Sequence, residues 1–551
     1  MSRTPLFRTL RRSFRLAQRS VETGRPADAV VEEWREASKL SRRQFLGGTA
    51  AAAGLALVGC RPFAAPSLEG GGTGRRIVIV GAGISGLTAG YRLHQQGEQV
   101  RVFEGQDRVG GRMYSQRGFF PNGQVAELGG ELIDTGHVHI RQLAEELEIP
   151  LDDFALDGVD LDRDVLFFDG RRIAEHELVE AFVPMSRRMV WDRATLGGDW
   201  VSYREPNGGE KLDRTTLAQW LDGSGAEPWF RKLIDVAYTT EYGLETSEQS
   251  ALNLLLLLDP NPVPFRVFGE SDERFHVRTG NDSIPKALAQ RLGAAVETSS
   301  QVESVARRSD GTFALSVRRG AASETVTADH VVISVPFTVL RPREDGGPWI
   351  RLDDSLGIPE VQKRAIRELG YGTNAKLMVG FAKRLWRQPE LPYRSNGSTL
   401  TDLPYQLCWE TSRLQPGETG ILTNFTGGRH GLELGQGTPE EQAVTFAREA
   451  GRVFPGLAEA RLPEKQSRFT WPSFPWTRGS YGCYRPGQWT AFSGEEGRRV
   501  GNLHFAGEHT SETAQGFMEG GCESGARVAE EILEGRSRAG AEVPRRLRLA
   551  G

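Results

Sequence analysis

Cysteine is scarce in this chain of 551 residues. Cys60, Cys408, Cys483 and Cys522 suggest no disulfide framework and fall at no metal-ligand spacing. The nine histidines form no His-x-x-x-His pair and no Cys/His cluster, so no metal is expected. Neither sign of charge dominates: the formal net charge is −4, and nothing in it suggests a nucleic-acid partner. No apolar run is long enough to span a bilayer. What the chain does have is length, too much for one hydrophobic core, so at least two domains are expected.

Against that background one stretch stands out. Ile77 to Val80 is a continuous apolar run, as in a strand buried on both faces of a parallel sheet. It leads into Gly81-Ala82-Gly83-Ile84-Ser85-Gly86. Gly81 permits a tight turn, Gly83 lets the backbone approach a pyrophosphate, and Gly86 lets the next helix pack closely on the strand. That helix, Ser85 to Gln96, offers its N–H groups and positive dipole end to phosphates, and Gly97 stops it. Val100 to Phe103 is a second strand, and Glu104 at its end can accept bonds from both ribose hydroxyls. A lone Gly-x-Gly-x-x-Gly is weak, but here strand, turn, helix, strand and acid occur in order, the pattern of a dinucleotide site.

Val109-Gly110-Gly111-Arg112 and Glu127-Leu128-Gly129-Gly130-Glu131 follow. Far downstream, Asn502 to Phe505 reads as a strand running into Gly507-Glu508, and Gly516-Phe517-Met518 opens a helix that passes Ala529. Together these segments resemble the flavin-containing amine oxidases, the monoamine, polyamine and L-amino acid oxidases, over about residues 75–535. The resemblance implies an α/β fold, in which a Rossmann-like FAD-binding domain is interleaved with an α+β substrate-binding domain. It implies noncovalent FAD, because Ser480 stands where monoamine oxidases carry the cysteine that attaches it. It places Gly81, Gly83, Ile84, Ser85, Gly86, Glu104, Gly111, Arg112, Gly129, Gly130, Glu131, Val302, Gly507, Glu508, Gly516, Phe517 and Met518 at the cofactor. The FAD domain is expected at 73–135, 275–345 and 480–535, the substrate domain at 136–274 and 346–479, and a flexible tail at 536–551.

Between the motifs, helices are expected at His137 to Leu147, Ala174 to Met189, Ile284 to Leu292 and Pro439 to Val453. The leucine-rich Thr246 to Leu258 reads as one buried helix. Strands are expected at Gln301 to Ala306, Phe313 to Val317, Ala328 to Ser334, Lys376 to Phe381 and Tyr405 to Trp409.

Amine oxidation on a flavin asks the protein mainly to position substrate and exclude water. By resemblance, Lys376 in Gly372-Thr373-Asn374-Ala375-Lys376 holds a water at flavin N5, while Tyr481 and Phe517 form aromatic walls. The arginine with which L-amino acid oxidases grip a carboxylate is absent; Leu132 stands there. Glu131 and Asp134 could attract a cationic amine. The expected partners are an amine or amino acid and O2 or another electron acceptor. An L-amino acid oxidase, a phytoene-type desaturase and a flavin-binding electron carrier without amine turnover stay open.

Residues 1–45 are basic and show no periodic burial. Ser41-Arg42-Arg43-Gln44-Phe45-Leu46 before the small, apolar Gly47 to Gly59 resembles a twin-arginine export signal. It implies the twin-arginine translocase as a partner and a periplasmic or outer-face location. Leu57-Val58-Gly59-Cys60 resembles a lipoprotein box, which makes Cys60 a candidate lipid anchor.

Overall fold

A computed structural model describes residues 74–157, 161–257, 272–388 and 394–534, with pieces between 13 and 34. The twin-arginine stretch, Cys60 and the 536–551 tail lie outside the described residues. Two sheets organise the molecule. The first is wholly parallel and runs, edge to edge, Leu503–Phe505, His330–Ile333, Ile77–Val80, Val100–Phe103, Val296–Glu297. Its central strand is apolar and buried at all four positions, because helices cover both faces. The helix Ile84–Gln95 packs on it, and the C-terminal helix Met518–Glu534 packs on that helix in turn. Two ends of the chain thus build one cofactor-binding layer.

The second sheet has seven strands, ordered Arg461–Thr470, Ala375–Phe381, Gly420–Thr426, Leu407–Glu410, Ser395–Thr401, Asp162–Phe168 and Arg171–Arg172. All neighbours are antiparallel except Ser395–Thr401 against Asp162–Phe168. The helices Glu175–Ala194 and Pro228–Tyr242 contribute to the largest apolar cluster. Ala375–Phe381 is buried at every position, so its lysine is held inside the molecule.

Three expectations need correction. The strand foreseen over Ala328 to Ser334 is two strands in different sheets: Ala322–Ala328 pairs with Phe313–Arg319, and His330–Ile333 joins the parallel sheet. Between them the Asp329 carboxylate accepts from the Arg76 backbone N–H (2.8 Å) and from its guanidinium (2.7 and 3.1 Å), which fixes the bend. The leucine-rich helix is shorter than foreseen, a 3-10 turn at Thr246–Glu248 and a helix at Leu252–Leu257. Gln249 and Ser250 interrupt it. The Gln249 amide donates to Tyr238 O and Leu244 O, and Ser250 N–H donates to Tyr484 O.

The third correction concerns the N-terminus. Ser13, Leu16 and Ala17 are buried, as are Ala27, Val30 and Val31, and the apolar ones join the largest cluster. Steps of three and four put each set on one helical face. Gly24 turns the chain at φ +64°, and Arg19 and Arg25 both pair with Glu33, at 2.7 and 2.5 Å. In the sequence these few buried positions are set among many basic residues, which hides the period.

Candidate active site

The glycine turn after Ile77–Val80 sorts into separate jobs. Gly81 takes φ +102° and donates to Phe103 O at 2.8 Å, which joins the two central strands at the turn. A Cβ at Gly86 would sit 2.1 Å from Gly81 O and 2.5 Å from Ser334 Oγ, so only glycine lets helix and strand come this close. A Cβ at Gly83 would meet nothing within 4 Å: that glycine faces open space rather than protein. The helix begins there with no side-chain cap and no acid in its first turn, so its positive end is left for an outside anion. Glu104 is buried beside it and accepts from Ala82 N–H (2.8 Å) and Gln106 N–H (2.9 Å). Burial pushes its carboxyl up, and those two N–H groups offset the shift in part.

Residues far apart in sequence close the rest of the cradle. Gly110 N–H donates to Ala82 O at 2.8 Å and brings the second glycine pair against the first. The Arg112 guanidinium donates to Ser480 O (2.7 Å) and Glu508 Oε1 (2.9 Å), while Glu508 Oε2 accepts from Gly516 N–H at 2.7 Å. One arginine thereby ties the N-terminal motif to both C-terminal segments. A Cβ at Gly130 would collide with Met518 at 2.8 Å.

Lys376 is 4% exposed. Its Nζ donates to Gly129 O (2.8 Å), Glu127 O (3.2 Å) and Glu131 Oε2 (2.8 Å), and it lies 5.2 Å from the centre of the Trp409 ring. Glu131 Oε1 accepts from Trp409 Nε1 (2.9 Å) and Thr411 Oγ1 (2.8 Å). Burial alone would raise Glu131; the Lys376 charge and hydrogen bond and the Trp409 bond outweigh it and hold the carboxyl below its usual range. With both oxygens occupied, Glu131 has the geometry of the lysine's counter-ion rather than of a hold for substrate. Asp134 is equally buried: Oδ1 accepts from Glu273 N–H at 2.7 Å, and Oδ2 lies 3.2 Å from His137 Nε2.

Every residue expected at the site except Gly86, which packs behind it, lines one continuous cavity. Tyr481 and Phe517 contribute aromatic walls. The Tyr481 hydroxyl donates to Thr240 O at 3.4 Å, and the Phe517 ring packs edge-on to His137 at 5.1 Å. Trp409, Phe425, Trp471 and Glu273 also line the cavity and were missed. They sit on strands or loops with no spacing signature, and only the sheet register brings Phe425 beside Lys376. Ser480 Oγ donates to Asn374 at 2.6 Å. The buried Cys483 contacts Asn253.

The sequence profile of flavin containing amine oxidoreductases matches residues 84–533. The chain belongs to this family. An L-amino acid dehydrogenase of Synechocystis sp. is 25% identical over 478 residues, 83% of this chain and 94% of that protein. A flavin-containing amine oxidase of Oncorhynchus mykiss is 23% identical, over 83% of this chain and 85% of its own. Among solved structures, cyclohexylamine oxidase from Brevibacterium oxydans superposes with a TM-score of 0.71 at 22% identity, over 84% of this chain and 100% of its own. The family cofactor is FAD, and the residues here fit it: an open glycine turn, an uncapped helix end, a buried acid and the Arg112–Glu508 tie. The enzyme is an oxidoreductase acting on CH–NH2 groups.

Proposed function

We propose that this enzyme oxidises a primary or secondary amine without a carboxylate, to an imine that water hydrolyses, and passes the electrons to O2 to give hydrogen peroxide. Bound FAD would supply the acceptor for the hydride that leaves the amine α-carbon. The observation that carries the reading is the charge of the cavity. Its described lining holds five carboxylates, Glu104, Glu131, Asp134, Glu273 and Glu508, and only two cations, Arg112 and Lys376. Both cations are committed, Arg112 to Glu508 and Ser480 O, Lys376 to Glu131 and two carbonyls. A substrate carboxylate would enter an acidic cavity with no free guanidinium to meet it. A cationic amine is drawn in, gives its proton to solvent water as it enters, and lies as the neutral amine between the Tyr481 and Phe517 rings. Lys376 keeps a polar group at the reacting end, and the surrounding tryptophans exclude water.

Anaerobic stopped-flow with amines and their α-carboxylated counterparts tests this. Each amine is expected to bleach the flavin faster than the matching L-amino acid; faster bleaching by the amino acids overturns it. L-amino acid oxidation is the second reading, favoured by the similarity to the Synechocystis dehydrogenase. A peroxide-coupled assay separates O2 from another acceptor. We further propose export by the twin-arginine route, supported by Arg42-Arg43 before an apolar run. Fractionation of cells carrying R42K/R43K tests it, with retention in the cytoplasm expected.

A further inference from the structure

Lys376 is held by three acceptors that all come from residues 127–131: the carbonyls of Glu127 and Gly129 and the Glu131 carboxylate. What fixes this turn lies behind it, away from the cavity. The Glu127 carboxylate is fully buried. Its Oε1 is 3.0 Å from His276 Nε2 and accepts from Asn281 N–H at 2.9 Å, and its Oε2 accepts from Ser115 Oγ at 2.7 Å. Asn281 Nδ2 donates to Gly130 O (2.9 Å) and Glu131 O (2.7 Å). His276 is itself buried and stacks on Phe154 at 6.1 Å with 13° between the rings.

The charges around His276 are one-sided. Glu127 bonds it directly, and the Glu131 and Asp152 carboxylates act on it from a distance. Asp152 has its own partner, Arg278 at 2.8 Å, and Glu131 has Lys376. The Glu127 carboxylate has no other cation bonded to it among the described residues. Burial lowers the histidine, and the carboxylates outweigh burial and raise it, so the ring carries its proton more readily than a free histidine. With His276 protonated, four buried groups alternate in sign: Glu127, His276, Glu131, Lys376.

We propose that His276 is a positioning residue for flavin reduction: its cation balances Glu127, and so holds the 127–131 turn that carries Lys376 in register with the cofactor. The inference rests on the proposed amine oxidation for the place of Lys376, but the charge balance itself does not depend on which substrate enters. Breaking one member of a buried ion pair leaves an uncompensated charge, whereas replacing both can be close to neutral. The pair of variants H276Q and E127Q/H276Q, both loaded with FAD, separates charge from shape.

In H276Q, kcat for whichever substrate bleaches the wild type is expected to fall at least about tenfold, with KM within about twofold, because the turn under Lys376 shifts while the Tyr481 and Phe517 walls stay in place. Its flavin midpoint potential should move negative, since an extra buried negative charge opposes reduction. In E127Q/H276Q both kcat and potential should return most of the way to wild type. Wild-type kcat and potential in H276Q overturn the proposal. So does a double variant as impaired as the single one, or one that does not fold. If H276Q alone does not fold, a folded double variant with wild-type potential supports it. The potential is measured by dye titration without substrate, so it decides the matter even if no amine is turned over.

Discussion

At the scale of single residues the glycines make the sharpest forecasts, because each is glycine for its own reason. Gly83→Ala places a methyl in open space, so the fold should survive and the thermal midpoint without added FAD should hold. The same methyl enters the space a pyrophosphate needs, so FAD affinity should drop at least about tenfold, read by quenching of FAD fluorescence. Gly86→Ala instead drives a Cβ to 2.1 Å from Gly81 O, against backbone that has no room to yield. It should cost about 1–3 kcal/mol in overpacking, which in a chain of 551 residues lowers the midpoint by about 1–3 °C. If Gly83→Ala proves the less stable variant, the division of labour drawn here is wrong. Lys376→Met tests the other end of the site. It removes the polar group facing the reacting end and leaves Glu131 buried without its cation, so the rate of flavin bleaching should fall about 100-fold while FAD still binds. An unchanged bleaching rate would dismiss the lysine from the chemistry.

Elements were legible in the sequence where one local rule sufficed. Ile77–Val80, Ile84–Gln95 and Val100–Phe103 announced themselves by apolar runs, glycine spacing and a terminal acid, and they lie within a residue of where they were expected. Elements set by distant partners were not. The helix Pro228–Tyr242 went unread although Pro228 sits at its first turn and Gly243 ends it at φ +75°. The bend at Asp329 depends on Arg76, which no local pattern can supply. The site divides in the same way. Its glycines and acids carry spacing signatures, while Trp409, Asn281 and His276 reach it only through pairing across sheets or loops. The N-terminal pair of helical faces is the largest such omission. A chain begun at residue 74 should uncover the surface facing Leu16, Ala17, Ala27, Val30 and Val31, each at most 4% exposed in the full chain. Its thermal midpoint should fall by several degrees and its binding of a hydrophobic dye should rise. Equal midpoints would show that these residues contribute nothing to the folded body.

Across the whole molecule, pH acts through groups far from the cavity as well as near it. Burial lowers His137, His330 and His509 to about 4 each. All three rings are therefore neutral in the folded protein at pH 6, yet titrate near 6.5 when the chain unfolds. Between about 6.5 and 4 the unfolded chain binds their protons and the folded one does not, so this stability is present above 6.5 and is lost as pH falls. Burial pushes two carboxyls the other way, Glu496 to about 7 and Glu104 upward, and this offsets part of the loss. The three histidines outweigh them, so as pH falls below about 6.5 the unfolded chain binds more protons than the folded one and stability declines. The thermal midpoint of the FAD-loaded enzyme should accordingly decline from pH 7 to pH 5. His509 allows the account to be checked one proton at a time. Neither of its ring nitrogens has a hydrogen-bond partner among the described residues, and its ring packs on Phe337 at 4.3 Å. His509→Leu should fold, because an apolar side chain replaces a ring that bonds to nothing. It should also flatten the decline by one proton's worth, since the ring that titrates only in the unfolded chain is gone. A variant whose midpoint falls with pH as steeply as the wild type would mean that His509 is not among the groups that make the enzyme acid-sensitive.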